Sequence, residues 1–492
     1  MGKTPDFQNA IHTELFIDGQ FVAGEGDAER VLNPATGEVI ASVPEASYEQ
    51  IHRAVLGANR AFDSWSDTTP GERSRLLLKI ADAIEANAEA FARLESLNCG
   101  KPYVRALEDE IPAIADCFRF FAGAARNVHG PVAGEYLPGH TSMIRRDPVG
   151  VIGSIAPWNY PLMMAAWKIA PALAAGNSVV LKPSEKSPLT ALRLAELALA
   201  AGIPPGVFNV VPGYGPEAGS PLALHMDVDC IAFTGSTRVG KQIHVMAGQS
   251  NLKRAWTELG GKSPNIVFAD CPNLDQAVEA AVGSIFFNQG ESCNAPSRLF
   301  VEASIKDAFL DKALKLVPQY QPGNPLDKAT VMGAIVDKVQ MDNVLRYIGL
   351  GKSEGAKLLA GGEAAMPVAG GHYVLPTIFD GVTPQMTIAR EEIFGPVLSV
   401  MSFTDAAEVV REANRSVYGL QAGVWTRDIN KAHGVARALR AGTVHVNQYD
   451  EDDITVPFGG FKQSGVGRDK SLHAFDKYTE TKTTWIRIDS PV

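Results

Sequence analysis

The sequence predicts an α/β protein: a parallel, Rossmann-like sheet followed by a second α/β unit, with a small β region beside them. Three observations predict it. From residue 149 to 234, short apolar runs alternate with helical runs. A second alternation of the same kind begins after Cys293. Two further stretches, within 127–147 and 477–492, have strand character without helices between strands.

Taken in order, residues 48–65 and 72–98 carry helical periodicity, the second ending at Cys99 and Gly100, where a glycine C-cap belongs. Between 127 and 147, Gly130, Pro131, Gly134, Pro138 and Gly139 break short apolar segments, which suggests a β excursion. An apolar strand over 149–156 leads into a helix reaching Ala175. Strand 179–182, helix 190–201 and strands 207–211 and 231–234 follow. An apolar helical run over 274–287 then breaks at Asn288, Gln289 and Gly290. Strand candidates at 299–302, 397–402, 423–426 and 443–447 form the second series. Residues 477–488 read as a final strand, an edge that needs a partner.

A chain of 492 residues holds two or three domains and buries sizeable cores without disulfides. Its five cysteines are scattered without paired spacing, which fits a reducing compartment and supplies no metal framework. Net charge is −10 with no long basic run, which disfavours nucleic acid and anionic membranes as partners. The first residues lack an apolar signal core, and Asp6 stands where a myristoylation motif needs Ser or Thr, so a cytoplasmic location is expected. The apolar stretch 155–176 contains Pro157, Asn159, Pro161, Lys168 and Pro171, which suits a buried strand, loop and helix better than a membrane span.

Chemistry concentrates at Cys293, in FFNQGESCNAPSR, and Glu258, in ELGGKSP. The break after the 274–287 run places the thiol on a loop, where access is possible. Glu258 precedes Gly260 and Gly261, which permit close backbone approach. A thiolate nucleophile with a carboxylate base is the chemistry this pair offers. Lys182 and Glu185 end a buried strand at the carboxyl edge, where doubly wound sheets bind ligands. Gly235, Ser236 and Gly240 lie between a strand and a helix, whose N-terminal amides can face a pyrophosphate.

Together with PWNYP, KPSE, FTGSTRVG, EEIFGPV and PFGGFKQSGVGR, these runs resemble the NAD(P)-dependent aldehyde dehydrogenase superfamily across nearly the whole chain. The resemblance implies an aldehyde dehydrogenase fold. Its NAD-binding domain would comprise 1–126 and 148–260, its catalytic domain 261–460, and its oligomerisation region 127–147 and 477–492, through which dimers or homotetramers form. It assigns Cys293 as nucleophile, Glu258 as the base that hydrolyses the thioester, and the Asn159 amide with the Cys293 N–H as oxyanion donors. Trp158, Lys182, Glu185, Gly235, Ser236, Gly240, Glu392 and Phe394 fall at cofactor positions, with Glu185 favouring NAD over NADP. No metal is implied. Alternatives left open are a broad aliphatic or hydroxyaldehyde dehydrogenase and a non-catalytic structural protein on the same fold.

For the substrate, Tyr160, Trp167, Phe287 and Phe458 match the family's aldehyde tunnel, an aromatic funnel suited to an apolar stem or a cation. The acidic run YDEDD, with Asp450 and Asp453, and the acids Glu108, Asp109 and Glu110 would attract an ammonium or guanidinium group. Motifs such as ESLNCGKP and GEYLPGHTSMIRRDP are similar to 4-aminobutyraldehyde dehydrogenases. From about Ser187 the chain is more similar to γ-glutamyl-γ-aminobutyraldehyde and 4-guanidinobutyraldehyde enzymes. Both branches belong to polyamine or arginine catabolism. Phe287 and Phe458 stand where betaine aldehyde enzymes of this group carry tryptophan, and Asn294 with Pro296 is an unusual sequel to the nucleophile.

Overall fold

The computed structural model describes residues 11–128 and 133–489. Residues 1–10, 129–132 and 490–492, which include Asp6, Gly130, Pro131 and the end of the expected oligomerisation region, lie outside the described residues.

Strands Val151–Ile155, Ser178–Lys182 and Cys230–Thr234 are buried along their whole length, as continuous apolar runs in a parallel sheet must be. They form the centre of an eight-stranded sheet. Its order is Gln20–Val22, Leu15–Ile17, Phe208–Val210, Ser178–Lys182, Val151–Ile155, Cys230–Thr234, Arg254–Glu258 and Gly465–Val466. The chain runs outward one way from Val151–Ile155, then returns to its other side at Cys230–Thr234. The direction of winding therefore reverses between those two strands, where the carboxyl ends leave a crevice. Gly465–Val466 closes the far edge against Thr257 and Glu258, a late return of the chain that nothing in the sequence signals.

Helix Pro161–Ala175 is buried nearly throughout and packs against this sheet, with Lys168 and Pro171 inside it. Gly176 and Gly202 end their helices at φ 99° and 107°, a conformation open to glycine at little cost. Among the described residues, no helix is long and apolar enough to cross a membrane.

The expected single helix over 72–98 is corrected. The periodic run 72–98 is two helices, Pro70–Ala86 and Ala88–Cys99. Asn87 leaves helical geometry at φ −116° and its amide donates back to the Ala83 carbonyl at 2.8 Å, so its local hydrogen bond overrides the apolar period.

The second, seven-stranded sheet has at its centre Val397–Phe403, Arg298–Glu302, Pro264–Val267 and Gln421–Trp425, all parallel. Pro264–Val267 follows Glu258 after only a short link, which joins the two sheets directly beside the candidate base. A third sheet pairs Thr479–Arg487 with His140–Pro148, and that strand with Ala133–Leu137. Residues 475–478 form a helical turn, so the final strand starts at Thr479 rather than Lys477.

Candidate active site

A cavity of about 870 Å³ opens where the two large sheets meet. Cys293, Glu258 and Asn159 all line it. Each arrives from a different element: Asn159 from the loop after Val151–Ile155, Glu258 from the end of Arg254–Glu258, and Cys293 from the segment before Arg298–Glu302.

A left-handed turn delivers the cysteine. Asn288, Gln289 and Gly290 hold φ values of 46°, 57° and 72° in succession, costly for the first two residues. Buried polar contacts maintain it. Gln289 Oε1 accepts from the Gly333 amide at 3.0 Å, and Glu291 Oε1 from the Val336 amide at 3.1 Å. At Gly261 an added Cβ would sit 2.4 Å from the Cys293 carbonyl oxygen, so only glycine lets the segment after Glu258 pass this close.

Asn159 donates one amide hydrogen to the Glu291 carbonyl at 2.9 Å, and Asn288 donates to the Asn159 carbonyl at 3.1 Å. One of the two hydrogens on Asn159 Nδ2 is thereby used to orient the group, and the second remains for the cavity. Burial pushes the Cys293 thiol well above its ordinary pKa, with Glu258, Glu392 and Asp450 adding repulsion and its own N–H opposing them. Glu258 is also raised well above the carboxylate range, by burial first, then by Asp469, while Lys168 opposes. Neither of its oxygens accepts a hydrogen bond among the described residues. Such a carboxylate suits a base that must hold a proton near neutral pH.

Beneath Glu258 lies a buried ion cluster the motifs did not single out. Lys168 lies 3.6 Å from Asp469, which also contacts Lys477. A lysine inside an otherwise apolar helix was the available signal.

The cofactor candidates divide into two groups. Trp158, Gly235, Ser236, Glu392 and Phe394 line the cavity. Trp158 and Phe394 meet edge to face at 5.3 Å, and Glu392 Oε1 accepts from the Gly261 amide at 3.0 Å, with burial raising its pKa to about 7. Phe394 has φ 58°, and Gln340 Nε2 donates to its carbonyl at 2.7 Å. Lys182, Glu185 and Gly240 lie outside this cavity. Lys182 Nζ donates to the Pro183 and Gly213 carbonyls at 2.8 and 2.6 Å, and Glu185 lies 3.9 Å away. Ser236 caps helix Thr237–Gln249 by accepting from the Val239 amide, so other first-turn amides remain available to an anion. An aromatic pair, a carboxylate and a helix N-terminus along one crevice fit a nicotinamide dinucleotide.

Tyr160, Trp167, Phe287 and Phe458 all line the cavity, with Trp167 and Phe458 rings 5.3 Å apart. The Tyr160 hydroxyl and Ser292 Oγ share a hydrogen bond of 2.6 Å beside the nucleophile. Asp450, Glu451 and Asp452 face the cavity, as do Asp109 and Glu110. Asp453 does not, which corrects its assignment. Its carboxylate is turned outward to accept from the Thr455 amide and hydroxyl at 2.9 and 2.6 Å. Glu108 is not part of the lining either. Several of these acids are already compensated: Glu110 by Lys101 at 2.6 Å, Asp452 by Lys470 at 2.8 Å and Asp109 by Arg105 at 3.3 Å.

Comparison with known proteins identifies the family of the chain. Residues 21–484 match the aldehyde dehydrogenase family model. The NADP/NAD-dependent aldehyde dehydrogenase PuuC of Escherichia coli (strain K12) is 50% identical over 484 residues, covering 98% of this chain and 97% of that protein. An indole-3-acetaldehyde dehydrogenase of P. syringae, solved with NAD+, superposes with a TM-score of 0.96 at 52% identity, covering 97% of each chain. The γ-glutamyl-γ-aminobutyraldehyde dehydrogenase of Burkholderia cenocepacia superposes at 0.95 with 52% identity, covering 98% of this chain and 97% of that one.

Proposed function

This chain belongs to the aldehyde dehydrogenase family, and from that membership we propose that it oxidises an ω-amino or ω-guanidino aldehyde to the carboxylic acid, with NAD as acceptor. The observation that carries the reading is the convergence of Cys293, Glu258 and Asn159 on one cavity whose lining also includes Asp450 and Glu451.

Cys293, ionised to the thiolate, adds to the aldehyde carbon, because a carbonyl has no hydride to release until that carbon becomes tetrahedral. The free Asn159 N–H and the Cys293 amide hold the resulting oxyanion, each such donor contributing roughly 3 kcal/mol. When bound, the dinucleotide supplies the hydride acceptor. Glu258 takes a proton from the water that attacks the Cys293 acyl carbon, releasing the acid and restoring the thiol. Glu185, in the turn just past strand Ser178–Lys182, supports NAD over NADP, since a carboxylate there repels a 2′-phosphate.

The test is NADH formation by the purified protein with 4-aminobutyraldehyde and butyraldehyde. We expect kcat/KM to favour the amine by about tenfold or more, the value of one net ion pair in a desolvated site. Parity would favour the second reading, a broad aldehyde dehydrogenase. The aromatic lining and the similarity to an indole-3-acetaldehyde dehydrogenase give that reading its support. Equal kcat/KM with NADP would refute the cofactor preference.

We also infer that the third sheet pairs with a second copy. Its outer strand Thr479–Arg487 is exposed from Glu480 onward, with Trp485 and Ile486 among the exposed residues, and Tyr136 and Leu137 are exposed on another strand of the same sheet. Trp485→Glu should lower the mass found by sedimentation from a dimer or tetramer toward the monomer. A monomeric wild type would remove the inference. The five free cysteines support a reducing, cytoplasmic compartment, and a disulfide found in protein extracted with thiols blocked would count against it.

A further inference from the structure

Both neighbours of the nucleophile are tied by their side chains to the cavity wall. Ser292 is bonded to Tyr160, whereas Asn294 reaches the acidic loop. Asn294 Nδ2 donates to Asp450 Oδ1 at 2.5 Å, and the Tyr449 hydroxyl donates to the Asn294 carbonyl at 2.8 Å. Gln421 supports the same contact, its amide lying 3.5 Å from Asp450 Oδ1 and its Oε1 3.3 Å from Asn294 Nδ2. The start of the acidic loop is therefore fixed relative to Cys293 by two bonds through one residue.

The character of these donors matters. Asp109, Glu110 and Asp452 each have a lysine or arginine partner, which cancels their charge. The donors to Asp450 are neutral amides, which orient a carboxylate without cancelling it. Both reach Oδ1, leaving Oδ2 without a protein donor among the described residues. Asp450 is also held at φ 71°, a conformation that a non-glycine residue keeps only when its surroundings impose it.

We propose that Asn294 is a positioning residue for substrate selection: it holds the Asp450 carboxylate uncompensated and at a fixed distance from Cys293, so that an aldehyde with a cationic far end is chosen over a neutral one of equal length. This rests on the aminoaldehyde reading above. The titratable groups that act on or respond to Asp450 are Asp452, Glu451, Tyr160, Tyr449 and Cys293, while the cations nearby, Arg105 in the cavity lining and Lys470, are paired with Asp109 and Asp452. Burial and Asp452 raise the Asp450 pKa to about 6, and the Gln421 and Asn294 amides pull it down.

The experiment compares wild type, N294A and D450N by kcat/KM for 4-aminobutyraldehyde and butyraldehyde across pH. In wild type the preference for the amine should grow as pH rises through Asp450 ionisation. N294A should cut that preference about tenfold, mainly through KM of the amine, and shift its pH midpoint upward. D450N should remove the preference. A large wild-type preference that survives in N294A overturns this inference and leaves the aminoaldehyde reading standing. So does an equal loss on both substrates, which a merely structural role would give. A wild type without preference overturns both. N294S, whose hydroxyl is too short for the same reach, replaces N294A if the latter does not fold.

Discussion

Cys293→Ala abolishes NADH formation, by about 10⁴-fold or more, while the protein continues to bind nicotinamide dinucleotide. The size of the loss follows from the chemistry: without addition of the thiol the aldehyde carbon never becomes tetrahedral. Binding survives because Trp158, Glu392 and Phe394 build their part of the crevice without contribution from the thiol. The substitution also keeps the amide at position 293 and the Asn159 group, so it separates the nucleophile from the oxyanion donors. Single-turnover NADH absorbance alongside a cofactor titration makes the measurement. Turnover near the wild-type level in the alanine variant would exclude Cys293 as the nucleophile.

Glu258→Gln should separate the two halves of the reaction. Addition and oxidation need the thiol, but release of the acid needs a base for water. One equivalent of NADH should therefore appear, followed by a steady rate lower by about 10²- to 10⁴-fold, with an acyl mass retained on Cys293. A burst absent together with normal steady turnover would assign the base elsewhere.

The same variant carries a stability signature. Burial raises the folded-state pKa of Glu258 above its ordinary 4.5, so the folded protein resists an ionisation that the unfolded chain accepts. Below pH 4.5 both states are protonated and no cost exists. As pH rises past 4.5 the cost grows until the folded group also ionises. Glutamine avoids it, so the melting temperature of Glu258→Gln should exceed that of wild type at neutral pH and converge with it near pH 4. A lower neutral-pH melting temperature would mean that the carboxylate is better accommodated than its lack of hydrogen-bond partners implies.

Much of this protein was legible in its sequence. The apolar runs read as strands at 149–156, 179–182 and 231–234 are the buried parallel strands Val151–Ile155, Ser178–Lys182 and Cys230–Thr234, and their alternation with helices pointed to an α/β fold. Cys293 and Glu258 were identifiable because their motifs combine reactive side chains with nearby glycines that allow close backbone approach, whereas Asn159 was identifiable only through the family resemblance of PWNYP. Partnerships across the sheets were not legible. Asn87 breaks a helix that periodicity alone continues. Asp453 and Asp450 sit in one acidic run, yet only Asp450 faces the cavity, because Asp453 turns to satisfy Thr455. Lys168 and Asp469 are 301 positions apart by their numbering (469 − 168) and meet only when the chain returns through Gly465–Val466 to the first sheet. Local periodicity and motif chemistry are properties of neighbouring residues, so the sequence by itself determined the fold class and the reactive groups. Which charges are cancelled, and which remain to meet a substrate, depends on contacts between residues distant in the chain, and the tertiary structure alone decided that.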